Sequence, residues 1–249
     1  MSRAWLMIRS VVLWTVAGIH FFVGGFVVFL AGLCVDRRRH DWINRGFFRT
    51  IVRLAAVKFE VRRSPGFQPQ RTSIFICNHV NIFDPFVIYS AIPQFVRGFE
   101  LESHFKVPVY GWIMRWFGNV AVPDAPRRES LETMTQRAKA ALDAGVSLIA
   151  FAEGSRTRDG QVKEFKKGIF NLAQKFGVPI VPMSIVGSYQ FFRTGDWLLY
   201  PGKITVYLHD TIDTSKISRG EVDALRQRVQ DIVAAPIEES LKTHPPEKS

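Results

Sequence analysis

Two side chains able to move a proton stand five residues apart in Asn78-His79-Val80-Asn81-Ile82-Phe83-Asp84. An imidazole with a carboxylate to orient it is what deprotonation of an alcohol requires. The preceding run Ser73-Ile74-Phe75-Ile76-Cys77 is short, apolar and partly β-branched, so it reads as a buried strand that delivers His79 to a strand end. On a continuous helix, residues five apart diverge by about 140°, so His79 and Asp84 would not share a face and the chain must turn between them. Asp84-Pro85 supplies a turn-to-helix start, with Asp as cap and Pro at the first helical position. Asp84 therefore carries two readings, helix cap and partner of His79. His79 also has an alternative, a place in a strand-end hydrogen-bond network.

A second constellation follows another apolar run, at Phe151-Ala152-Glu153-Gly154-Ser155-Arg156-Thr157. Its Gly-Ser-Arg centre permits close backbone approach with a guanidinium alongside, whose planar fork suits a phosphate. Phe165-Lys166-Lys167-Gly168 sits at a helix start, where free N–H groups and an ammonium also favour an anion. Glu153, Gly154, Ser155, Arg156 and Lys166 are thus the candidate binding residues beside the candidate base. Each has a plainer reading: Glu153 as an internal salt-bridge partner of Arg156, and Lys166-Lys167 as a solvated loop.

The elements that position these groups alternate. Strands are expected at Val57–Val61, 73–77, Phe95–Glu100, Val120–Val122, Val146–Phe151, Ile180–Val186 and Ile204–Leu208. Between them lie helical patterns from Asp84, from Val109 to Phe117, through Leu131, Met134, Ala138 and Leu142, and from Gly168 to Phe176. Such alternation implies an α/β fold, a mostly parallel sheet flanked by helices. Ser218 with Glu221 forms a capping box that opens a last helix, which Pro236 is expected to interrupt. No repeats, metal motif or disulfide framework are visible, Cys34 and Cys77 being too few for either.

From Ser10 to Val35 the chain carries no Asp, Glu, Lys or Arg, long enough to cross a bilayer core of about 30 Å. It exceeds a signal peptide's apolar region of about 7–15 residues and lacks a small-residue cleavage site. A lipoprotein signal also fails, since Leu33 occupies the place of a small residue before Cys34. The segment is expected to be a retained anchor, as one span or as two short helices dipping into one leaflet around Gly24-Gly25. Arg37-Arg38-Arg39-His40, with Arg45, Arg49 and Arg53 close behind, outweighs Arg3 and Arg9 and places the main domain in the cytoplasm. The net charge of +11 invites a nucleic-acid reading, but no such motif appears, and basic residues beside an apolar anchor fit anionic phospholipid headgroups better.

Taken in order, these motifs resemble those of the 1-acylglycerol-3-phosphate acyltransferase family of glycerolipid acyltransferases. The family's His-x4-Asp block is met by His79 and Asp84, its Phe-Pro-Glu-Gly-Thr-Arg block by Phe151 to Arg156, its Phe-Lys-x-Gly by Phe165 to Gly168, and its late Val-Pro by Val181-Pro182. The resemblance implies a membrane anchor and basic juxtamembrane helix over 1–54, a catalytic domain over 55–241 and a polar tail over 242–249. It implies that His79 takes the proton of an acceptor hydroxyl as it attacks the thioester of acyl-CoA or acyl-carrier protein, without a cofactor or metal. Asp84 would fix the tautomer, and Glu153, Gly154, Ser155 and Arg156, with Lys166, would hold a lysophospholipid's phosphate. One departure stands out: the family's second block falls on Gly118 to Asp124, which puts Asp124 where an Arg associated with the acceptor phosphate is usual. Arg127 or Arg128 would then take over, or the acceptor is glycerol 3-phosphate, another lysophospholipid or a lyso-aminolipid. Two other readings stay open, a lipid-binding protein without turnover and a Cys77-dependent acyl hydrolase.

Overall fold

The computed structural model describes residues 2–36, 38–39, 41–108, 110–125 and 127–243. Among the described residues, seven strands form one sheet: β1 (Lys58–Arg63), β2 (Ile74–Cys77), β3 (Val96–Leu101), β4 (Val120–Val122), β5 (Ser147–Phe151), β6 (Ile180–Val186) and β7 (Lys203–Leu208). Their order is β1-β7-β6-β2-β5-β3-β4, and every pairing is parallel except β6 with β7. The expected mostly parallel α/β sheet is therefore present. β2 lies at its centre, and all four of its residues are buried. A strand covered on both faces must be apolar throughout, which is why this segment shows a run rather than an alternation.

The side chains of β2 divide between two cores. Phe75 and Cys77 pack with Val52, Val87, Ile88 and Leu199. Ile74 and Ile76 pack on the other face with Ala138, Leu142, Phe170 and Val229. The first face is covered by α2 (Asp41–Leu54) and α3 (Asp84–Ala91), the second by α5 (Arg128–Asp143), α6 (Gly168–Phe176) and α8 (Val222–Thr243). Two shorter helices, α4 (Tyr110–Phe117) and α7 (Ser188–Phe191), join strands at the end of the sheet.

Pro236 does not end the last helix as the sequence suggests: α8 continues through it to Thr243. Val229, Val233 and Ile237 keep one buried stripe against β6 across the proline, and this packing outweighs a helix-interior proline's cost of about 3 kcal/mol. Beside it, Ser184 Oγ donates to the carbonyl of Val233 at 2.8 Å, giving that oxygen a donor from the sheet.

The apolar N-terminal segment forms one unbroken helix, α1 (Arg3–Cys34), long and apolar enough to cross a membrane. It does not break at Gly24-Gly25, because both glycines face the body of the protein, where Phe47 lies within 4 Å of the position a Cβ would take. Leu6, Ser10, Gly25 and Val28 form its buried stripe. Arg9 donates to the carbonyl of Leu199, and Ser10 Oγ accepts from Leu199 N–H at 2.9 Å. At the other end Gly32 meets the ring of Trp116 so closely that an added Cβ would lie 1.6 Å from it. The opposite face exposes Ile8, Val11, Val12, Ile19, Phe22, Val23, Phe26 and Val27.

Not every arginine after α1 is available to a lipid headgroup. Arg38 donates to Ala144 O at 2.6 Å, and Arg45 binds Asp41 and the carbonyls of Ile92 and Gln94. Arg49 and Arg53 are exposed, as is Trp42. Arg37, His40 and residues 244–249 of the polar tail lie outside the described residues.

Candidate active site

Parallel register sets the site. Cys77 pairs with Phe151 at the ends of β2 and β5, so His79 and Glu153, each two residues further on, leave the same edge side by side. This is the carboxyl edge of the sheet, where open α/β folds bind their ligands.

His79 lies flat against Phe151, ring centroids 3.8 Å apart and planes inclined by 19°. Its Nδ1 is 2.9 Å from Asp84 Oδ2, and the same oxygen accepts from the N–H groups of Val80 at 2.6 Å and Asn81 at 2.9 Å. Asp84 is fully buried, and its other oxygen accepts from Ser188 Oγ at 2.6 Å. The carboxylate thus turns back onto the 79–81 loop and makes no side-chain cap on α3, of which Asp84 is the first residue. Four donors therefore converge on this one carboxylate. With Nδ1–H held by Asp84, Nε2 is the nitrogen left to receive a proton.

Ser188 is the partner that the sequence reading missed. It follows Gly187, which has φ +88°, and a Cβ there would lie 2.0 Å from the carbonyl oxygen of Lys203. Only glycine fits, so Gly-Ser after an apolar strand was the available signal. Asn81 fixes the same corner, its amide donating to Ser188 O at 3.1 Å and Phe192 O at 2.7 Å.

The second constellation forms a loop beside His79. Gly154 adopts φ +69°, and Lys166 Nζ lies over its backbone, 2.5 Å from where a Cβ would be. Gly154, Ser155, Arg156 and Lys166 are exposed. Lys163 Nζ donates to Ser155 Oγ at 3.2 Å and Arg156 O at 2.7 Å, bracing the loop. Lys167 points elsewhere and pairs with Asp223 at 2.5 Å. Glu153 differs from its neighbours: it is 3% exposed, and its oxygens accept from the backbone N–H of His79 at 2.7 Å and of Lys163 at 3.0 Å. It therefore faces inward, bonded to main chain rather than to Arg156.

Burial pushes the Glu153 carboxyl up to about 7, against the lowering effect of the two N–H groups and of the charges on His79 and Lys163. The native chain then holds a proton that the unfolded chain releases near the ordinary value of 4.5, so this group makes stability fall as pH rises from about 4.5 to 7. Urea unfolding at the two ends of that window should show Glu153→Gln losing less stability than the wild type as pH rises. An equal slope in both would contradict the assignment.

Across this site and its sheet, residues 58–186 match the sequence model of the family described as Acyltransferase. The chain belongs to the acyltransferase family. Among its relatives are the 1-acyl-sn-glycerol-3-phosphate acyltransferases of Chlamydomonas reinhardtii, 30% identical over 65% of this chain, and Pseudomonas aeruginosa, 22% identical over 90% of this chain and 88% of that protein. This chain spans 48% of the algal relative's length. The crystal structure of the 1-acyl-sn-glycerophosphate (LPA) acyltransferase PlsC from Thermotoga maritima superposes with a TM-score of 0.80, at 27% identity and with both chains wholly covered. This chain is thus similar to several proteins named as 1-acylglycerol-3-phosphate acyltransferases.

Against the acyltransferase pattern, Asp124 has a local role. Its carboxylate accepts from the backbone N–H of Ser103 at 2.8 Å and from Ser103 Oγ at 2.6 Å, closing the turn after β3. Those bonds hold its carboxyl below the usual range. The thiol of Cys77 is fully buried, and burial, with Asp84 and Glu153 nearby, pushes it well above its ordinary value. A thiol in that state is a poor nucleophile, which disfavours the acyl-hydrolase reading.

Proposed function

We propose that this chain is a membrane-associated 1-acylglycerol-3-phosphate O-acyltransferase, moving a fatty acyl group from acyl-CoA or acyl-carrier protein to a lysophospholipid hydroxyl and giving phosphatidic acid. The observation that carries the reading is the His79–Asp84 pair with Nε2 left to act, set beside an exposed Gly-Ser-Arg loop under a lysine. In this scheme Nε2 takes the proton of the acceptor hydroxyl as its oxygen attacks the thioester carbonyl. Asp84 stabilises the imidazolium that forms, as in other base–carboxylate pairs. The tetrahedral adduct then expels the thiolate, which takes the proton back from His79. Arg156 and Lys166, with the backbone at Gly154 and Ser155, hold the acceptor phosphate, a proximity effect worth several kcal/mol.

The apolar face of α1 supports attachment to a lipid surface, and the arginine excess that follows it is the argument for a cytoplasmic catalytic domain. Because α1 is bound to the body near both ends, by Arg9 with Ser10 and by Gly32 at Trp116, it is suited to lying along one leaflet.

The test is a panel of acceptors offered to the purified full chain with labelled acyl-CoA or acyl-carrier protein. 1-Acylglycerol 3-phosphate should be acylated faster than glycerol 3-phosphate, other lysophospholipids or a lyso-aminolipid. Preference for an acceptor without a phosphomonoester would replace the acceptor assigned above. Inactivity of the folded protein on the whole panel would favour a lipid-binding protein without turnover.

A further inference from the structure

We propose that Glu153 is a positioning residue, a buried carboxylate that holds the base-bearing loop in register with the acceptor loop, rather than a ligand of the acceptor phosphate. The proposal rests on the reading of His79 as the base. Its first support is direction. Glu153 lies at the end of β5 and is 3% exposed, whereas Gly154, Ser155 and Arg156 immediately after it are all exposed. A phosphate brought to this edge meets those three residues and Lys166. A buried carboxylate behind them repels it and has no hydrogen to offer when ionised.

The second support is what the carboxylate joins. Oε1 accepts the backbone N–H of His79 at 2.7 Å and Oε2 the backbone N–H of Lys163 at 3.0 Å. His79 is also gripped at its carbonyl, which accepts from Thr157 N–H at 2.9 Å. Both ends of the His79 peptide unit are therefore held by residues that bracket Gly154, Ser155 and Arg156. The far side of the loop closes where Lys166 N–H donates to Ala152 O at 2.8 Å. Thr194 Oγ1 adds a further clasp, its one hydroxyl hydrogen shared between Val80 O at 2.6 Å and Thr157 O at 2.8 Å. The loops come from different strands, and Glu153 is the side chain that bonds to the base's own backbone and to the closing segment at once. Above about pH 7, where the carboxyl is ionised, both bonds are charge-assisted and fix position better than neutral ones, so the kinetics are to be run there.

A ligand and a brace separate in kinetics and in exchange. In the full-length protein, Glu153→Gln keeps the volume but sets an amide N–H against a backbone N–H. Glu153→Asp keeps the charge but is too short to reach both partners. With 1-acylglycerol 3-phosphate and acyl-CoA, both variants should lose about 10- to 100-fold in kcat while the acceptor KM stays within about twofold. Arg156→Ala provides the contrast, with a raised acceptor KM. Amide hydrogen exchange gives a readout independent of the acceptor. In each variant whichever of the His79 and Lys163 amides loses its acceptor should exchange at least about tenfold faster, while Ile76 and Ile149 in the sheet stay protected and report an intact fold. A raised acceptor KM with kcat retained, or unchanged exchange at His79 and Lys163, would overturn the proposal. If wild-type protein acylates nothing, the proposed function fails and the exchange measurement still decides whether Glu153 is the brace.

Discussion

His79→Ala should lower kcat for acyl transfer by about a thousandfold or more, within the range expected when a general base is removed from a site that otherwise still binds. The loss should fall on kcat, with acceptor KM changed little, because the loop formed by Gly154, Ser155 and Arg156 is exposed and keeps its own bracing from Lys163. The fold should survive. His79 is partly exposed at a strand end, and its main structural contact is one face against Phe151. Removing that ring costs some stacking and leaves the sheet intact. Steady-state kinetics with labelled acyl donor, together with thermal unfolding of both proteins, check this. A variant retaining more than about a tenth of wild-type kcat would mean that another group takes the proton.

The second large effect is expected for Asp84→Asn. Both oxygens of Asp84 accept only from donors: Val80 N–H, Asn81 N–H, the His79 ring and Ser188 Oγ. An amide has one accepting oxygen and one NH2 group. Since two backbone N–H groups cannot turn, the NH2 group must face Ser188, whose hydroxyl can rotate to accept it. The shape of the site is then preserved. What disappears is the negative charge opposite the imidazolium, so kcat should fall by about 10³- to 10⁴-fold, the scale seen when such a carboxylate is neutralised. Stability should fall by about 1–3 kcal/mol, because charge-assisted bonds at a fully buried site become neutral ones. Kinetics and urea unfolding on the same preparation separate the two effects. If activity dropped only in proportion to unfolded protein, Asp84 would be a structural residue and nothing more.

Much of the sheet was legible along the chain. β4 and β6 fall on the residues the apolar pattern picked out, and the other strands shift by one or two positions at one or both ends. Central strands buried on both faces leave runs of Val, Ile and Phe that no other element explains. The error at Pro236 has the opposite cause. A proline's effect on a helix is local, while the buried stripe Val229, Val233 and Ile237 that overrides it exists only once α8 lies against β6. The single N-terminal helix was hard to foresee for the same reason. Gly24 and Gly25 suggest a break only until Phe47 is placed against them.

The site divides in the same way. The types and spacing of His79, Asp84, Gly154, Ser155, Arg156 and Lys166 lie in the sequence, because the chemistry attributed to them depends on side-chain identity close along the chain. The inward turn of Glu153 and the bond from Ser188 to Asp84 do not. Glu153 is 74 positions from His79, and Ser188 is 104 positions from Asp84. A carboxylate in sequence shows only that it can accept hydrogen bonds or carry charge. Which donors it meets, and whether water reaches it, follows from the strand register that sets Cys77 opposite Phe151 and from the turn that Gly187 alone permits. The sequence determined which residue types are available as the proposed base, orienting acid and anion-binding loop, and that a long apolar segment precedes them. The tertiary structure decided which carboxylate meets the His79 ring and which one bonds to the backbones of His79 and Lys163, because burial and donor geometry are properties of the packed chain.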